Sequence, residues 1–176
     1  MQVELKRISS QTDLETIREL YISAFPANER REFENLKQLS TGDDCLIFRI
    51  LTNSGTFAGF CILWEFPDFI FIEHFAVKPE LRGLGIGEKT LAAIKTGFSK
   101  TIILETELPT DEISQRRIRF YERNGFHKLS RTYFQPSYGG NKPQIELKLM
   151  STNVDFQTDE LDSFIRAIHK KVYGIA

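Results

Sequence analysis

The chain has 176 residues, of which 41% are hydrophobic and 27% charged, a length and composition that suit one globular domain with a full core. Its formal net charge of -1 argues against a general affinity for nucleic acid or for an anionic membrane, since either partner needs a basic surface. We predict a cytoplasmic protein, because the sequence shows no apolar signal core and no stretch as long as a membrane span. Cys45 and Cys61 are expected to be buried free thiols, and neither they nor His127 and His169 have metal-ligand spacing, so no metal is predicted.

The first half of the chain alternates between helical and strand patterns. A short strand over Val3–Ile8 precedes a helix that Thr12-Asp13-Leu14-Glu15 starts as a capping box and Pro26 ends. A charged helix follows over Glu29–Leu39, and Thr41-Gly42-Asp43 stops it. Turn residues then separate three strands, which predicts an antiparallel meander over Cys45–Leu51, Phe57–Glu65 and Phe69–Val77.

The second half continues this mixed order. The patterns predict a helix over Ile86–Phe98, a strand over Thr101–Glu107, a helix over Asp111–Arg123, and strands over His127–Phe134 and Gln144–Met150. The tail after Thr152 is expected to end in an amphipathic helix.

A glycine-rich turn, Arg82-Gly83-Leu84-Gly85-Ile86-Gly87, joins the third strand of the meander to the next helix. Glycines here leave room for several N–H groups to converge on an anion at a positive helix start. A dinucleotide fingerprint and a P-loop would both need glycine at position 88, where Glu88 stands. The pattern R/Q-x-x-G-x-G/A is satisfied, and it resembles the acyl-CoA loop of the GNAT superfamily of N-acetyltransferases.

Two further features support this resemblance. Phe120-Tyr121-Glu122-Arg123-Asn124-Gly125-Phe126 resembles the aromatic-Tyr-x-x-x-Gly-Phe segment of the family, and the order of elements is similar to the GNAT fold over about residues 1–150. The resemblance implies an α+β, three-layer fold with a mixed sheet of six to seven strands, about four flanking helices and a C-terminal helix. We predict one GNAT domain over 1–150, with 151–176 as an extension of the same globule.

The resemblance also implies the chemistry, which is direct transfer of an acetyl group from acetyl-CoA to a primary amine without a metal or covalent intermediate. Pantetheine would lie along the last residues of the strand before the turn, and the main chain of the turn would hold the pyrophosphate. The implied CoA-binding residues are Phe75, Ala76, Val77, Arg82, Gly83, Leu84, Gly85, Ile86 and Gly87. For Arg82, a solvated loop cation is the alternative.

An amine attacks only when it is neutral, so the reaction needs a proton acceptor. Glu73 is the first candidate, because its strand is strongly apolar and burial is expected to raise its pKa. Alternation places it on one face with Phe71 and Phe75, opposite His74, which is expected to pack. Family members often carry the glutamate two residues earlier. A structural ion pair between Glu73 and an arginine stays open, as do three other bases, namely Glu105, Glu107 and water.

The leaving CoA thiolate calls for a proton donor, and in the family the tyrosine of the second motif commonly serves as this acid, which implies Tyr121. The alternative is that Tyr121 is an aromatic core residue. The chain departs from the family at Ser114 and Arg117, where asparagine and a small residue are usual.

The acceptor is not specified by these motifs. Two segments could form walls of its site, the loop Phe25–Arg31 and the aromatic stretch Tyr133–Gly140. Their aromatic residues suit a small or peptidyl amine, and a surface hairpin tip explains them equally well. A homodimer stays open as a further association. The alternative to an enzyme is a catalytically silent acyl-CoA-binding or sensor module.

Overall fold

The computed structural model describes residues 2–40 and 42–175, which divide into two compact units, Met1–Lys100 and Thr101–Ala176. Each unit has its own strands, helices and buried side chains, and each is described by itself below. The predicted domain boundary at residue 150 stays a prediction.

Four antiparallel strands form the sheet of the first unit in the order β1-β2-β3-β4. Their bounds are β1 Val3–Arg7, β2 Cys45–Thr52, β3 Phe57–Glu65 and β4 Phe69–Val77. The predicted meander of β2, β3 and β4 is therefore confirmed, and β1 adds to it beside β2. The three strands of the meander are largely apolar, and most of their side chains are buried.

The helices of the first unit are α1 Gln11–Glu15, α2 Arg18–Ala24, α3 Phe33–Leu39 and α4 Ile86–Phe98, with short 3-10 turns at Ala27–Glu29 and Pro79–Leu81. The predicted capping box at Thr12 is wrong, because Ser10 is the N-cap and its hydroxyl accepts a hydrogen bond from the amide of Asp13 at 3.1 Å. The helix also breaks at Thr16, whose hydroxyl and amide both bond to the carbonyl of Asp13.

The predicted helix over Glu29–Leu39 begins later, at Phe33, after the 3-10 turn. Its predicted stop lies partly at Thr41, which is outside the described residues.

In the second unit, β8 is the central strand and all of its partners run antiparallel to it. The strands are β5 Thr101–Glu107, β6 His127–Lys128, β7 Tyr133–Gln135 and β8 Ile145–Ser151, with helices α5 Glu112–Arg123 and α6 Thr158–Tyr173. The predicted strand over His127–Phe134 is two short strands, which pair with opposite ends of β8.

The C-terminal helix α6 contacts the strands of its own unit. The hydroxyl of Tyr173 donates to Glu105 on β5 at 2.8 Å, and the rings of His169 and Tyr133 lie 5.5 Å apart. Ile168 and Val172 are buried on the same helix. Over the described ranges 2–40 and 42–175, no helix is long and apolar enough to cross a membrane.

Gly59 on β3 marks a very close backbone approach in the first sheet. It lies opposite Val77, and a Cβ atom built on it would come within 2.2 Å of the carbonyl oxygen of Ala76. Only glycine therefore lets β3 and the end of β4 pair at this point.

We expect Gly59→Ala to lower the free energy of unfolding by about 1–3 kcal/mol, because the new methyl group meets backbone that cannot move aside. Gly97→Ala is the matched control, since Gly97 lies in α4 and a Cβ there meets nothing within 4 Å. It should raise stability by up to about 1 kcal/mol, the helical cost of glycine. Denaturant unfolding of both variants measures the difference, and equal effects would contradict the close approach.

Candidate functional site

Strand β4 contains one residue more than the part of β3 that it pairs with. Ile62 of β3 lies opposite His74, whereas the next residue, Leu63, lies opposite Ile72, so Glu73 is the extra residue of a β-bulge. A bulge bends its strand and redirects side chains, and bulges are frequent beside functional sites.

The bulge overturns the predicted arrangement of faces on β4. Phe71 pairs with Trp64 and Phe75 pairs with Cys61, and residues 61 and 64 of a regular strand point to opposite faces. Phe71 and Phe75 therefore do not share a face, because the extra residue between them reverses the alternation. Phe75 instead packs on the cluster that contains Ile86 of α4.

The carboxylate of Glu73 is buried and bonded at both oxygens. Arg31 donates to Oε1 from Nη2 at 2.6 Å and from Nε at 3.1 Å, and the indole of Trp64 donates to Oε2 at 2.6 Å. The side chain of Glu73 is 1% exposed and that of Arg31 is 11% exposed. The structure thus contains the glutamate–arginine pair that the sequence left open as an alternative.

The expected rise in the pKa of Glu73 is wrong. Burial acts to raise this pKa, but the charge of Arg31 and the hydrogen bonds from Trp64 and Arg31 outweigh burial and hold the pKa below its ordinary value of 4.5. Glu73 is therefore ionised at neutral pH, and an ionised carboxylate of low pKa is a weak proton acceptor. Its catalytic role stays a prediction.

His74 lies on the same side of β4 as Glu73, contrary to the predicted alternation, because the bulge turns both toward α2 and the loop after it. Its ring stacks on Tyr21 at 5.3 Å and contacts Phe25 at 4.3 Å. Burial lowers the pKa of His74 to about 4, so the ring is neutral at pH 7. This packing agrees with the structural role expected for His74.

The glycine turn has the backbone that an anion cradle needs. Gly83 and Gly85 have φ angles of 79° and 76°, in the left-handed region where side chains are disfavoured, and a Cβ at either would meet nothing within 4 Å. Gly85 is the N-cap of α4, and no side chain caps this helix start. The first amides of α4 are thus left to an outside acceptor.

The turn and the end of β4 are held together within the first unit. The side chain of Arg82 donates from Nε to the carbonyl of Val77 at 3.1 Å. Val77 and Phe75 pack on the cluster that contains Ile86, whereas Leu84 is 50% exposed. Arg82 is therefore tied to the strand that precedes the turn.

Tyr121 lies in the second unit, on α5. Its side chain is buried and contacts Phe120 and Phe126, with ring centroids 5.3 and 5.8 Å away. Burial raises the pKa of Tyr121 to about 12, so the phenol keeps its proton at neutral pH. Both roles foreseen for it, proton donor and core aromatic, are compatible with this setting.

The two alternative bases on β5, Glu105 and Glu107, also have partners in the second unit. The hydroxyls of Tyr133 and Tyr173 donate to the two oxygens of Glu105, and Arg117 forms an ion pair with Glu107. Ser114 completes the capping box of α5 with Asp111, so this departure from the family pattern stabilises a helix start.

The sequence did not single out Arg31 or Trp64 as partners of Glu73. Arg31 stands 42 residues before Glu73 in the chain, in the loop expected to form an acceptor wall, and that loop is held in place by Tyr21, whose hydroxyl donates to the Arg31 carbonyl at 3.0 Å. A buried glutamate in an apolar strand does indicate that some partner exists, but nothing local names it. Among the residues that the structure describes, no three His, Cys, Asp or Glu side chains could together hold a metal ion.

Comparisons with known proteins identify the family of this chain. The sequence model of the Acetyltransferase (GNAT) family matches residues 14–126, which is more than half of the chain, and the chain therefore belongs to the GNAT family of acetyltransferases. This family also accounts for the fold, and the predicted fold class is confirmed.

Two individual proteins are similar to this chain. The chain is 34% identical over 104 residues to the "Putative acetyltransferase YjbC" of Bacillus subtilis (strain 168), covering 56% of this chain and 53% of that protein. It thus spans about half the length of this curated relative. A GNAT-family structure from Bacteroides thetaiotaomicron covers 100% of both chains at 28% identity with a TM-score of 0.88.

A more distant structure shares the fold alone. The dodecameric spermidine N-acetyltransferase from Vibrio cholerae, in its intermediate state, is 17% identical with a TM-score of 0.61, covering 85% of this chain and 92% of its own.

We expect Glu73→Gln to lower the free energy of unfolding at pH 7 by about 3–5 kcal/mol, because it leaves the buried charge of Arg31 uncompensated. The folded-state pKa of Glu73 lies below the unfolded value, so its stabilisation is present above about pH 5 and is lost as pH falls through the folded pKa. The stability gap between parent and variant should therefore narrow in acid. Denaturant unfolding between pH 7 and pH 3 measures it.

Glu80→Gln is the matched control, since that side chain is 64% exposed and lies 3.6 Å from Lys78. It should change stability by no more than about 0.5 kcal/mol at any pH. A gap for Glu73→Gln that stays constant from pH 7 to pH 3 would show that the charge of Glu73 is not what stabilises the fold.

Proposed function

We propose that the protein transfers an acetyl group from acetyl-CoA directly to the primary amine of a small-molecule or peptidyl acceptor. The observation that carries this proposal is the turn at Gly83 and Gly85, whose left-handed backbone opens onto a helix start that no side chain caps. Membership of the GNAT family supports acetyl transfer in general. The proposal adds the donor and the class of acceptor.

The donor would be held by the main chain. Amides from Gly83 to Gly87 would bind the pyrophosphate of CoA, with the guanidinium of Arg82 beside them as an additional positive charge. The peptide-like pantetheine arm would follow Phe75, Ala76 and Val77 by adding main-chain hydrogen bonds along the strand.

In the proposed reaction, the neutral amine attacks the thioester carbonyl, the C–S bond breaks, and CoA leaves as a thiolate. Tyr121 would give its proton to the sulfur, since its phenol is protonated across the neutral range. The amine proton passes to a base. Glu73 stays in the proposal as an ionised carboxylate, with Glu105, Glu107 and water as alternatives, because the low pKa and filled hydrogen bonds of Glu73 make it a weak acceptor.

The low pKa and filled hydrogen bonds of Glu73 favour the second candidate function, a module that binds acyl-CoA without turnover. A silent domain has no need of a free base, and Glu73 is fully engaged by Arg31 and Trp64. Free thiol release from acetyl-CoA with a pooled amine library separates the two functions. Release that depends on an amine supports the enzyme, whereas CoA binding without release with any amine supports the module.

We expect Tyr121→Phe to lower kcat by about 100-fold, the scale of general acid catalysis, because the phenol proton is lost while the aromatic packing with Phe126 remains. The affinity for CoA should stay within about twofold by calorimetry, since the loop at Gly83–Gly87 is untouched, and such a small ratio is well under 1 kcal/mol. An unchanged kcat would remove Tyr121 from the role of acid and leave it as a core aromatic.

We expect Gly85→Ala to weaken CoA binding by about tenfold or more, equivalent to about 1.4 kcal/mol. The alanine resists the left-handed backbone and directs a methyl group into the open space of the turn. Gly55→Ala is the matched control, with a φ of 77° in the turn between β2 and β3 and equally open surroundings. Both variants should lose similar stability, and only Gly85→Ala should lose CoA affinity in calorimetry. Equal CoA affinities would contradict the assigned cradle.

A further inference from the structure

A cavity of about 290 Å³ lies between β7 and α6 in the second unit. Its walls include Tyr133 and Phe134 from β7 and one side of α6, and all of its lining residues fall beyond residue 126, where the match to the family model ends. The volume lies just below the usual range for ligand sites, which begins at about 300 Å³, so only a small molecule would fit. The part of the chain that matches the family model therefore contributes none of the lining residues.

One face of α6 supplies four of the lining side chains. Asp162, Ile165, Arg166 and His169 line the cavity, and their spacing of three, four and seven residues places them on one face of the helix. An acid, an apolar group, a guanidinium and an imidazole thus face the same space.

His169 offers this space a hydrogen-bond acceptor. Its Nε2 atom is buried and has no hydrogen-bond partner among the described residues, so its bond to the backbone of Phe134 is made at Nδ1, which donates. Burial lowers the pKa of His169, so the ring is neutral at pH 7. A neutral ring that donates at Nδ1 has a lone pair at Nε2, and a ligand N–H would satisfy it.

The charges in the cavity are of both signs. Arg131 is paired with Asp162 at 3.0 Å, whereas Arg166 has no hydrogen bond or ion pair with any residue in the described part of the chain. Arg166 can therefore take a carboxylate, and a planar guanidinium suits that group. The second oxygen of Asp162 and Nε2 of His169 can accept from an ammonium group.

The remaining walls combine apolar and aromatic side chains with the polar Thr132 and Gln144. Tyr133, Phe134 and Ile165 line the cavity, and Phe134 is 43% exposed, so its ring is available to an apolar part of a ligand. We propose that this cavity binds a free α-amino acid with an apolar or aromatic side chain, its carboxylate on Arg166 and its ammonium on Asp162 and His169. The proposal does not depend on acetyl transfer.

Calorimetry on the full chain without acetyl-CoA tests this site with three probes. L-Phenylalanine carries both charged groups, 3-phenylpropanoate lacks the ammonium, and phenethylamine lacks the carboxylate. We expect L-phenylalanine to bind with a stoichiometry of one, and each of the other two to bind at least tenfold more weakly. Equal affinities for the three, or no binding of L-phenylalanine, would overturn the proposal.

Two variants of α6 test whether L-phenylalanine binds in this cavity. Arg166→Met should weaken L-phenylalanine binding at least tenfold, whereas Lys170→Met, the same loss of charge at an exposed position that does not line the cavity, should leave it unchanged. L-Phenylalanine binding that Arg166→Met does not alter lies elsewhere on the chain and overturns the proposal. The chain has three histidines, so the imidazole signal of His169 can be followed by NMR, and it should shift with L-phenylalanine and not with 3-phenylpropanoate, which lacks the ammonium.

Discussion

The ion pair between Arg31 and Glu73 is the interaction on which the first unit depends most. A carboxylate in the middle of an apolar strand would be very costly to bury alone, and here one guanidinium and one indole N–H satisfy both of its oxygens. The pair also fixes the loop between α2 and α3, because Arg31 belongs to that loop and accepts a hydrogen bond from Tyr21 through its carbonyl. A wall proposed for the acceptor site is thus tied to the strand proposed for the donor.

The bulge at Glu73 explains why the two parts of β4 pack in different directions. Before the bulge, β4 is regular and buried against its neighbours, and after it Phe75 and Val77 turn to the cluster with Ile86 at the start of α4. That cluster supports the residue that immediately follows the N-cap Gly85. The position of the glycine turn therefore depends on the count of residues in β4.

Much of the fold could be predicted from the sequence, because it depends on local patterns. The strands Phe57–Glu65 and Phe69–Val77 and the helix Ile86–Phe98 have the predicted bounds, since period and turn residues are both readable in a single sequence. The bulge could not be predicted, because one extra residue in a continuous apolar strand leaves its composition unchanged. The same limit applies to the helix break at Thr16, where both the hydroxyl and the amide bond to the carbonyl of Asp13.

One part of the candidate site could likewise be predicted from the sequence, and another part could not. The glycine turn was recognisable because its chemistry resides in consecutive residues, and its backbone has the expected left-handed angles at Gly83 and Gly85. The state of Glu73 was not, because the sign of its pKa shift depends on a partner far away in the chain. Burial and pairing oppose each other there, and only the structure shows which is larger.

The hydrogen bond from Trp64 to Glu73 has a spectroscopic consequence. Trp64 is the only tryptophan of the chain, so all of the tryptophan emission of the protein originates from an indole whose N–H points at an ionised carboxylate. A nearby negative charge alters the energy of the indole excited state, and the ring is also within 5.8 Å of the Arg31 guanidinium. The protein therefore carries a built-in optical probe at the bulge, and its wavelength reports the charge state and position of that pair without any label.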